Sequence, residues 1–125
     1  MIHGRVTQNR PYITLIVGGK DNTQQIPAVI DTGFTGQLKI PLILVRDLNL
    51  QLTHTESVKV ADGRSTNMSA CLVNVSLEGR IDSINAIVSP GEVLAGMGLL
   101  KKFRYILEID FPKNKLKLFK EGEIV

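Results

Sequence analysis

The segment 28–36 of the 125-residue sequence, AVIDTGFTG, carries a carboxylate directly after a run of apolar residues. A β-branched strand that ends in Asp31 would hold this carboxylate in a fixed position, and Gly33 would let backbone N–H groups approach it. The chemistry that suits such a carboxylate is proton transfer to or from a reacting group. Aspartate and glycine are also common turn residues, so an ordinary surface turn is the alternative.

A weaker copy of the same segment occurs in the second half of the sequence. The segments IPAVIDTG (26–33) and INAIVSPG (84–91) share their Ile, Ala and Gly positions. This pattern indicates two half-domains that each contain a strand followed by a turn. Asp31 in the first segment corresponds to Ser89 in the second, so only one half supplies an acid.

The elements that must position Asp31 are predicted to be mainly β-strands, with one or two short helices. Asp62-Gly63 between two alternating runs is a strong hairpin signal, and Pro27 restricts the start of its strand to a sheet edge or a bulge. Pro41 precedes apolar residues at helical spacing and marks a helix start. Turn residues bound the remaining segments: strands at 11–17, 24–30, 37–40 and 81–88, a helical turn at 98–103, and a closing hairpin through 112–114.

Three motifs, in this order, are similar to those of a known family. VIDTG (29–33) resembles an active-site loop, VKVADGRST (58–66) a flap hairpin that folds over bound substrate, and LAGMGLL (94–100) the signature before a C-terminal helix. The chain thereby resembles the retropepsin-type aspartic proteases, the single-domain class that includes the retroviral enzymes, and its Asp-Thr-Gly-Phe loop resembles a prokaryotic branch. The resemblance implies one all-β domain over 1–125, folded as a closed, mainly antiparallel acid-protease barrel.

The resemblance implies a catalytic site at Asp31, Thr32 and Gly33. Peptide hydrolysis by carboxylates needs one that is protonated and one that is ionised, with a water between them. Two carboxyls about 3 Å apart share a proton, because both cannot ionise at that distance. Since the chain supplies one such aspartate, the site would form at the axis of a homodimer. Thr32 would bond across this axis, or serve as a plain core residue, and Gly96 would serve close packing rather than chemistry.

The predicted substrate-binding residues are Phe34 and the hairpin tip, formed by Val60, Ala61, Asp62 and Gly63. The tip would cover the substrate and exclude water; an ordinary exposed hairpin is the alternative. Phe34 departs from the Ala or Ser that is common at this position in the family, and its ring must either pack into the core or narrow the site. An inward-pointing Asp62 would favour cationic substrates, whereas an outward-pointing one would have little effect.

The leading functional prediction is an aspartic endopeptidase that acts on an intracellular protein or peptide. The alternative is a catalytically inactive, dimeric module that binds peptides or proteins on the same fold, which Phe34 favours and the retained Asp-Thr-Gly disfavours. Basic residues in 99–106 and 112–120 leave a third option, a β-barrel that binds nucleic acid. A solvated strand face explains the same residues, since few aromatic side chains lie nearby for base stacking, and nucleic acid is not expected as a partner.

Composition bounds the remaining classes of function. The chain is 43% hydrophobic and 22% charged with a net charge of +3, as in an ordinary soluble globule, and neither a membrane span nor a signal peptide is expected. Cys71 is the single cysteine, which excludes an intrachain disulfide and favours a cytoplasmic location. It is either a small buried hydrophobe or a catalytic thiol. His3 and His54 form no metal-binding motif, so no metal or cofactor is expected.

Overall fold

The computed structural model describes residues 1–123 as ten strands and two short helices. The last two residues of the domain predicted over 1–125 lie outside the described residues. The elements, in chain order, are β1 (Ile2–Thr7), β2 (Arg10–Gly18), β3 (Thr23–Asp31), β4 (Leu38–Ile40), α1 (Leu42–Asp47), β5 (His54–Lys59), β6 (Ser65–Leu77), β7 (Arg80–Val88), β8 (Leu94–Gly96), α2 (Met97–Lys102), β9 (Ile106–Asp110) and β10 (Lys115–Phe119).

Six of the strands close into a barrel. Neighbouring strands are hydrogen-bonded in the order β6-β7-β4-β8-β3-β2, and the pairing of β2 with β6 completes the ring. Two pairs in the ring are parallel, β3 with β8 and β4 with β7, and the others are antiparallel. Strand β5 extends the sheet beyond β6, whereas β1, β10 and β9 extend it beyond β2. The prediction of a closed, mainly antiparallel β-fold with short helices is therefore confirmed.

Apolar side chains that alternate along the strands fill the barrel interior. In β2, Ile13, Leu15 and Val17 are no more than 1% exposed, whereas the residues between them face outward. This is the period-two pattern of a strand with one buried face. Phe103, directly after α2, is completely buried in the same cluster. Because burying one large apolar side chain contributes roughly 1.5–3 kcal/mol, this core holds the barrel strands in place.

Cys71 belongs to this core. It lies in β6 opposite Ala86 of β7, and its side chain is fully buried. Burial raises the pKa of the Cys71 thiol. Since the thiolate is the nucleophilic form, this thiol is poorly reactive, and the interpretation of Cys71 as a small buried hydrophobe is confirmed.

The two halves of the barrel repeat one unit. In the first half β3 is followed by β4 and α1, and in the second half β7 is followed by β8 and α2. The units interlock, because β3 pairs in parallel with β8 and β4 pairs in parallel with β7. Asp31 ends β3, and Ser89 directly follows β7. The sequence repeat of 26–33 and 84–91 thus coincides with a structural repeat.

The strands and helices predicted from the sequence are present, and two further strands are found. Pro41 is the N-cap of α1, and Pro27 is paired on one side only, because the pairing of β3 with β8 begins at Val29. The sequence pattern misses β8, whose three residues are too few to show alternation. It also misses β1, which has a mixed polar and apolar sequence and forms by inserting between β2 and β10.

Candidate active site

Asp31 is the last residue of β3 and lies at the end of the barrel. Its neighbour across the sheet is Gly96 of β8, in the parallel pair. The chain leaves the sheet immediately after Asp31, and both Thr32 and Gly33 are exposed while Asp31 is half-buried. The carboxylate is therefore attached to a rigid strand but remains accessible.

Hydrogen bonds within the loop fix the orientation of the Asp31 carboxylate. The backbone N–H of Gly33 donates to Oδ1 of Asp31 at 2.9 Å, and the N–H of Phe34 donates to the Asp31 carbonyl oxygen at 3.1 Å. A Cβ atom at position 33 would lie 3.2 Å from the same Oδ1. Glycine at this position thus allows close approach of the backbone to the carboxylate, as the sequence predicts.

The Phe34 ring packs against two glycines beside the loop. A Cβ atom at Gly36 would lie 2.6 Å from ring atoms Cε1 and Cζ, and one at Gly96 would lie 2.7 Å from Cδ2. Phe34 is half-buried and also lines a cavity next to the loop. The ring therefore packs on the two glycines rather than into the buried core, and it takes up space in the cavity beside the loop.

Backbone hydrogen bonds join the start of α2 to the Asp31 loop. The N–H of Met97 donates to the Phe34 carbonyl at 2.9 Å, and the N–H of Gly98 donates to the Gly36 carbonyl at 3.0 Å. Gly96 is essential to this approach, because a Cβ atom there would lie 2.1 Å from the Gly36 carbonyl oxygen. The prediction that Gly96 serves close packing is confirmed.

The predicted flap is a hairpin of β5 and β6 joined by the turn 60–64. The N–H of Val60 donates to the Arg64 carbonyl, and the N–H of Gly63 donates to the Val60 carbonyl, each at 2.9 Å. Asp62 bonds Arg64 twice, accepting from the backbone N–H at 3.0 Å and from Nε at 2.7 Å. These bonds, the backbone one first, lower the pKa of Asp62. The negative charge of Asp62 is thus compensated within the turn rather than held free.

A cavity of about 140 Å³ lies between the Asp31 loop, strand β5 of the hairpin and strand β7. Among the sequence-predicted residues, Gly33 and Phe34 line it. The hairpin tip, Val60 to Gly63, lies outside its lining. The structure therefore brings the loop and strand β5 together, whereas Ala61, Asp62 and Gly63 of the tip are exposed. The cavity is lined by Gly33, Phe34, Thr35, Gly36, Gln37, Leu38, Glu56, Ser57, Val58, Lys59, Asn85 and Ile87.

Asn85 in β7 is the centre of a polar network that sequence reasoning missed. Its Nδ2 donates to Oε1 of Glu56 at 2.6 Å, and its Oδ1 lies 2.8 Å from Nε2 of His54. Its backbone N–H donates to Oε1 of Gln37 at 2.7 Å. The network joins β5, β7 and the end of the Asp31 loop, so it ties the hairpin base to the barrel.

The sequence gives only part of the signal for this network. The alternating burial of β5, in which Glu56 and Val58 are half-buried and their neighbours exposed, matches the period of a strand with an inner face. His54 lies at the hairpin base, where its ring is hydrogen-bonded to Thr53 and Asn85. No local pattern marks Asn85, because its partners come from distant segments.

The described residues 1–123 hold no cluster of three or more His, Cys, Asp or Glu side chains placed to bind a metal ion. Within the same range, no helix has the length and apolar character that crossing a membrane requires.

Solved structures similar to this chain include two proteases. One is a retropepsin-like aspartic protease from Rickettsia conorii, with a TM-score of 0.64 and 23% identity over 94% of this chain and 87% of that chain. The other is EIAV protease complexed with the inhibitor HBY-793, with a TM-score of 0.59 and 14% identity over 77% of this chain and 89% of that chain. This chain has the retropepsin-like fold.

The similarity is one of three-dimensional structure. No family model and no curated protein matches the sequence. The retropepsin-like barrel predicted from the motifs at 29–33, 58–66 and 94–100 is confirmed.

We expect Gly96→Ala to destabilise the retropepsin-like fold, since the added methyl would lie 2.1 Å from the Gly36 carbonyl oxygen. Overpacking of this kind costs roughly 1–3 kcal/mol, measurable by urea unfolding followed by circular dichroism. Gly18→Ala is the matched control, because there the nearest atom is the side-chain methyl of Thr23 at 3.1 Å. Equal unfolding midpoints for the wild type and Gly96→Ala would contradict the close-packing interpretation.

We expect Asn85→Ala to loosen the hairpin base, because it removes the hydrogen bonds to Glu56 and His54. Amide hydrogen exchange in β5 should accelerate roughly tenfold, since each lost bond is worth about 1 kcal/mol. Asn67→Ala is the control, because Asn67 lies on the exposed side of the same hairpin. Unchanged exchange in β5 of Asn85→Ala would show that the network does not restrain the hairpin.

Proposed function

We propose that the protein is an aspartic endopeptidase that acts as a homodimer, with a water activated between two copies of Asp31. The observation that supports the proposal most directly is the setting of Asp31. Its carboxylate ends a barrel strand, is oriented by the Gly33 N–H at 2.9 Å, and belongs to a loop that borders the cavity beneath the β5–β6 hairpin. A carboxylate so held is suited to general acid–base chemistry.

The need for a second carboxylate supports the dimer. The corresponding position in the second half of the barrel is Ser89, which cannot take the role of an acid. A two-fold axis through the Asp31 loops would bring the two carboxylates together. Thr32 and Gly33 are exposed and therefore free to meet their counterparts, with Thr32 bonding across the axis.

In the proposed reaction one carboxyl is protonated and the other is ionised. The ionised group takes a proton from the water, whose oxygen attacks the carbonyl carbon of the peptide bond, while the protonated group donates its proton to the carbonyl oxygen. The C–N bond then breaks as one carboxyl returns a proton to the leaving nitrogen and the other accepts one from the intermediate. The pair ends with one shared proton, ready for another cycle.

The hairpin supplies the cover over the substrate. Strand β5 is at the end of the sheet, paired with β6 on one side. The tip residues Val60, Ala61, Asp62 and Gly63 would close over a bound peptide and exclude water from the reacting atoms. The buried, reduced state of Cys71 is in keeping with a cytoplasmic location and an intracellular protein or peptide as substrate.

The test of the activity is cleavage of a diverse peptide library, read by mass spectrometry across about pH 4–7, where a shared-proton carboxylate pair is expected to work. Cleavage by Asp31→Asn should be slower by roughly 10²–10⁴-fold, because one member of the acid–base pair is lost from each copy. Asp110→Asn, an exchange at the last residue of β9, is the matched control and should retain activity. Equal cleavage by wild type and Asp31→Asn would refute the assignment.

Sedimentation at micromolar concentration tests the dimer. The proposal requires a dimer in the active sample, and a strict monomer would exclude a site built from two copies of Asp31. A dimer that binds library peptides but leaves them intact would instead identify the inactive binding module.

A further inference from the structure

The cavity beside the Asp31 loop contains one oriented carboxylate that the proposed reaction does not use. Strand β5 places Glu56 and Val58 on the side that faces the barrel, where both are half-buried. Ser57 and Lys59 alternate with them and are exposed. The side chain of Glu56 therefore faces the cavity, and Lys59, which also lines it, lies three residues (about 10 Å) further along the strand towards the turn 60–64.

Hydrogen bonds hold the Glu56 carboxylate by one of its two oxygens. Oε1 accepts from Nδ2 of Asn85 at 2.6 Å and lies 3.3 Å from Nε2 of His54. Within residues 1–123, no hydrogen bond is formed to Oε2, and the Glu56 side chain is 39% exposed. The carboxylate is thus fixed in orientation and retains one oxygen for a ligand.

Apolar side chains form one part of the cavity wall, and polar residues such as Thr35, Gln37 and Ser57 form another. Phe34 and Leu38 lie on the Asp31 side, Val58 on the hairpin and Ile87 on β7. The volume of about 140 Å³ is well below the several hundred Å³ of a pocket for a whole small molecule, and fits a single amino-acid side chain. A cavity that offers both apolar side chains and a carboxylate is complementary to a long side chain with an aliphatic stem and a cationic end.

Glu56 is also the acidic group best placed to act on a ligand here. The sequence suggests Asp62 as the source of negative charge near the site, but Arg64 pairs with that carboxylate inside the turn. Asp62 also lies outside the lining of the cavity, whereas Glu56 lies within it. The negative charge that would attract a cationic substrate is therefore that of Glu56 in β5 rather than that of Asp62 in the turn.

We propose that this cavity binds a lysine or arginine side chain of the substrate, so that the protein selects peptides with a basic residue close to the cleaved bond. The assignment rests on the proposed endopeptidase function. The aliphatic stem packs against Phe34, Leu38 and Ile87, and the cationic end donates a charge-assisted hydrogen bond to Oε2 of Glu56. Asn85 acts as a positioning residue, since its hydrogen bond to Oε1 orients the carboxylate.

The experiment compares wild type, Glu56→Gln and the control Glu108→Gln on paired peptides that differ only in lysine against norleucine, which has the same stem without the charge. Glu108 lies in β9, opposite Lys117 of β10 and away from the cavity. Glu56→Gln keeps an oxygen for the Asn85 bond and removes the charge. The ratio of kcat/KM for lysine over norleucine should fall roughly tenfold in Glu56→Gln, the value of one charge-assisted bond in a part-exposed site, and remain unchanged in Glu108→Gln.

The outcomes separate this assignment from the endopeptidase proposal. Cleavage that depends on Asp31, together with a lysine-to-norleucine ratio equal in wild type and Glu56→Gln, would overturn the basic-residue assignment and leave the protease intact. Absence of Asp31-dependent cleavage would overturn the protease. In that case the dissociation constants of the lysine and norleucine peptides are measured by fluorescence anisotropy with labelled peptides. A preference for lysine that depends on Glu56 would still support the binding site. Equal Kd values for both peptides would refute it.

Discussion

The close contact between the Asp31 loop and the junction of β8 with α2 is the constraint on which the candidate site depends. The Gly36 carbonyl oxygen occupies the space that a side chain at Gly96 would need, and the N–H of Gly98 donates to that same oxygen. Two segments about half the chain apart are thereby held together backbone to backbone. The position of the Asp31 carboxylate follows from this contact, because the loop has little freedom once both of its ends are held.

The repeated architecture explains why the contact occurs where it does. In each half of the barrel a long strand, β3 or β7, leads into a turn. The short strand and the helix of the opposite half lie beside that turn. Both halves are needed to build one loop environment, although Asp31 is present in the first half and Ser89 stands in the second. The fold thus uses two similar units to position a single acid.

Local patterns in the sequence were sufficient to predict most of the barrel and the position of Asp31. Period-two alternation and the glycines after Asp31 are properties of neighbouring residues, so they can be read without knowledge of the fold. The short strand β8 and the role of Asn85 could not be predicted, since both depend on partners from remote segments. The packing of Phe34 on Gly96 was likewise inaccessible, because this ring and this glycine are far apart in sequence and show no local pattern.

The pairing of Asp62 with Arg64 has a consequence for long-range forces on the hairpin. The turn 60–64 holds one acid and one base bonded to each other, and Glu56 and Lys59 likewise balance along β5. Because the charges of this segment cancel over a short span, the electric field of a chain with net charge +3 exerts little net force on it. In the proposed homodimer, two such tips would approach each other without repulsion between net charges, so contact between them would be governed by shape and by short-range hydrogen bonding.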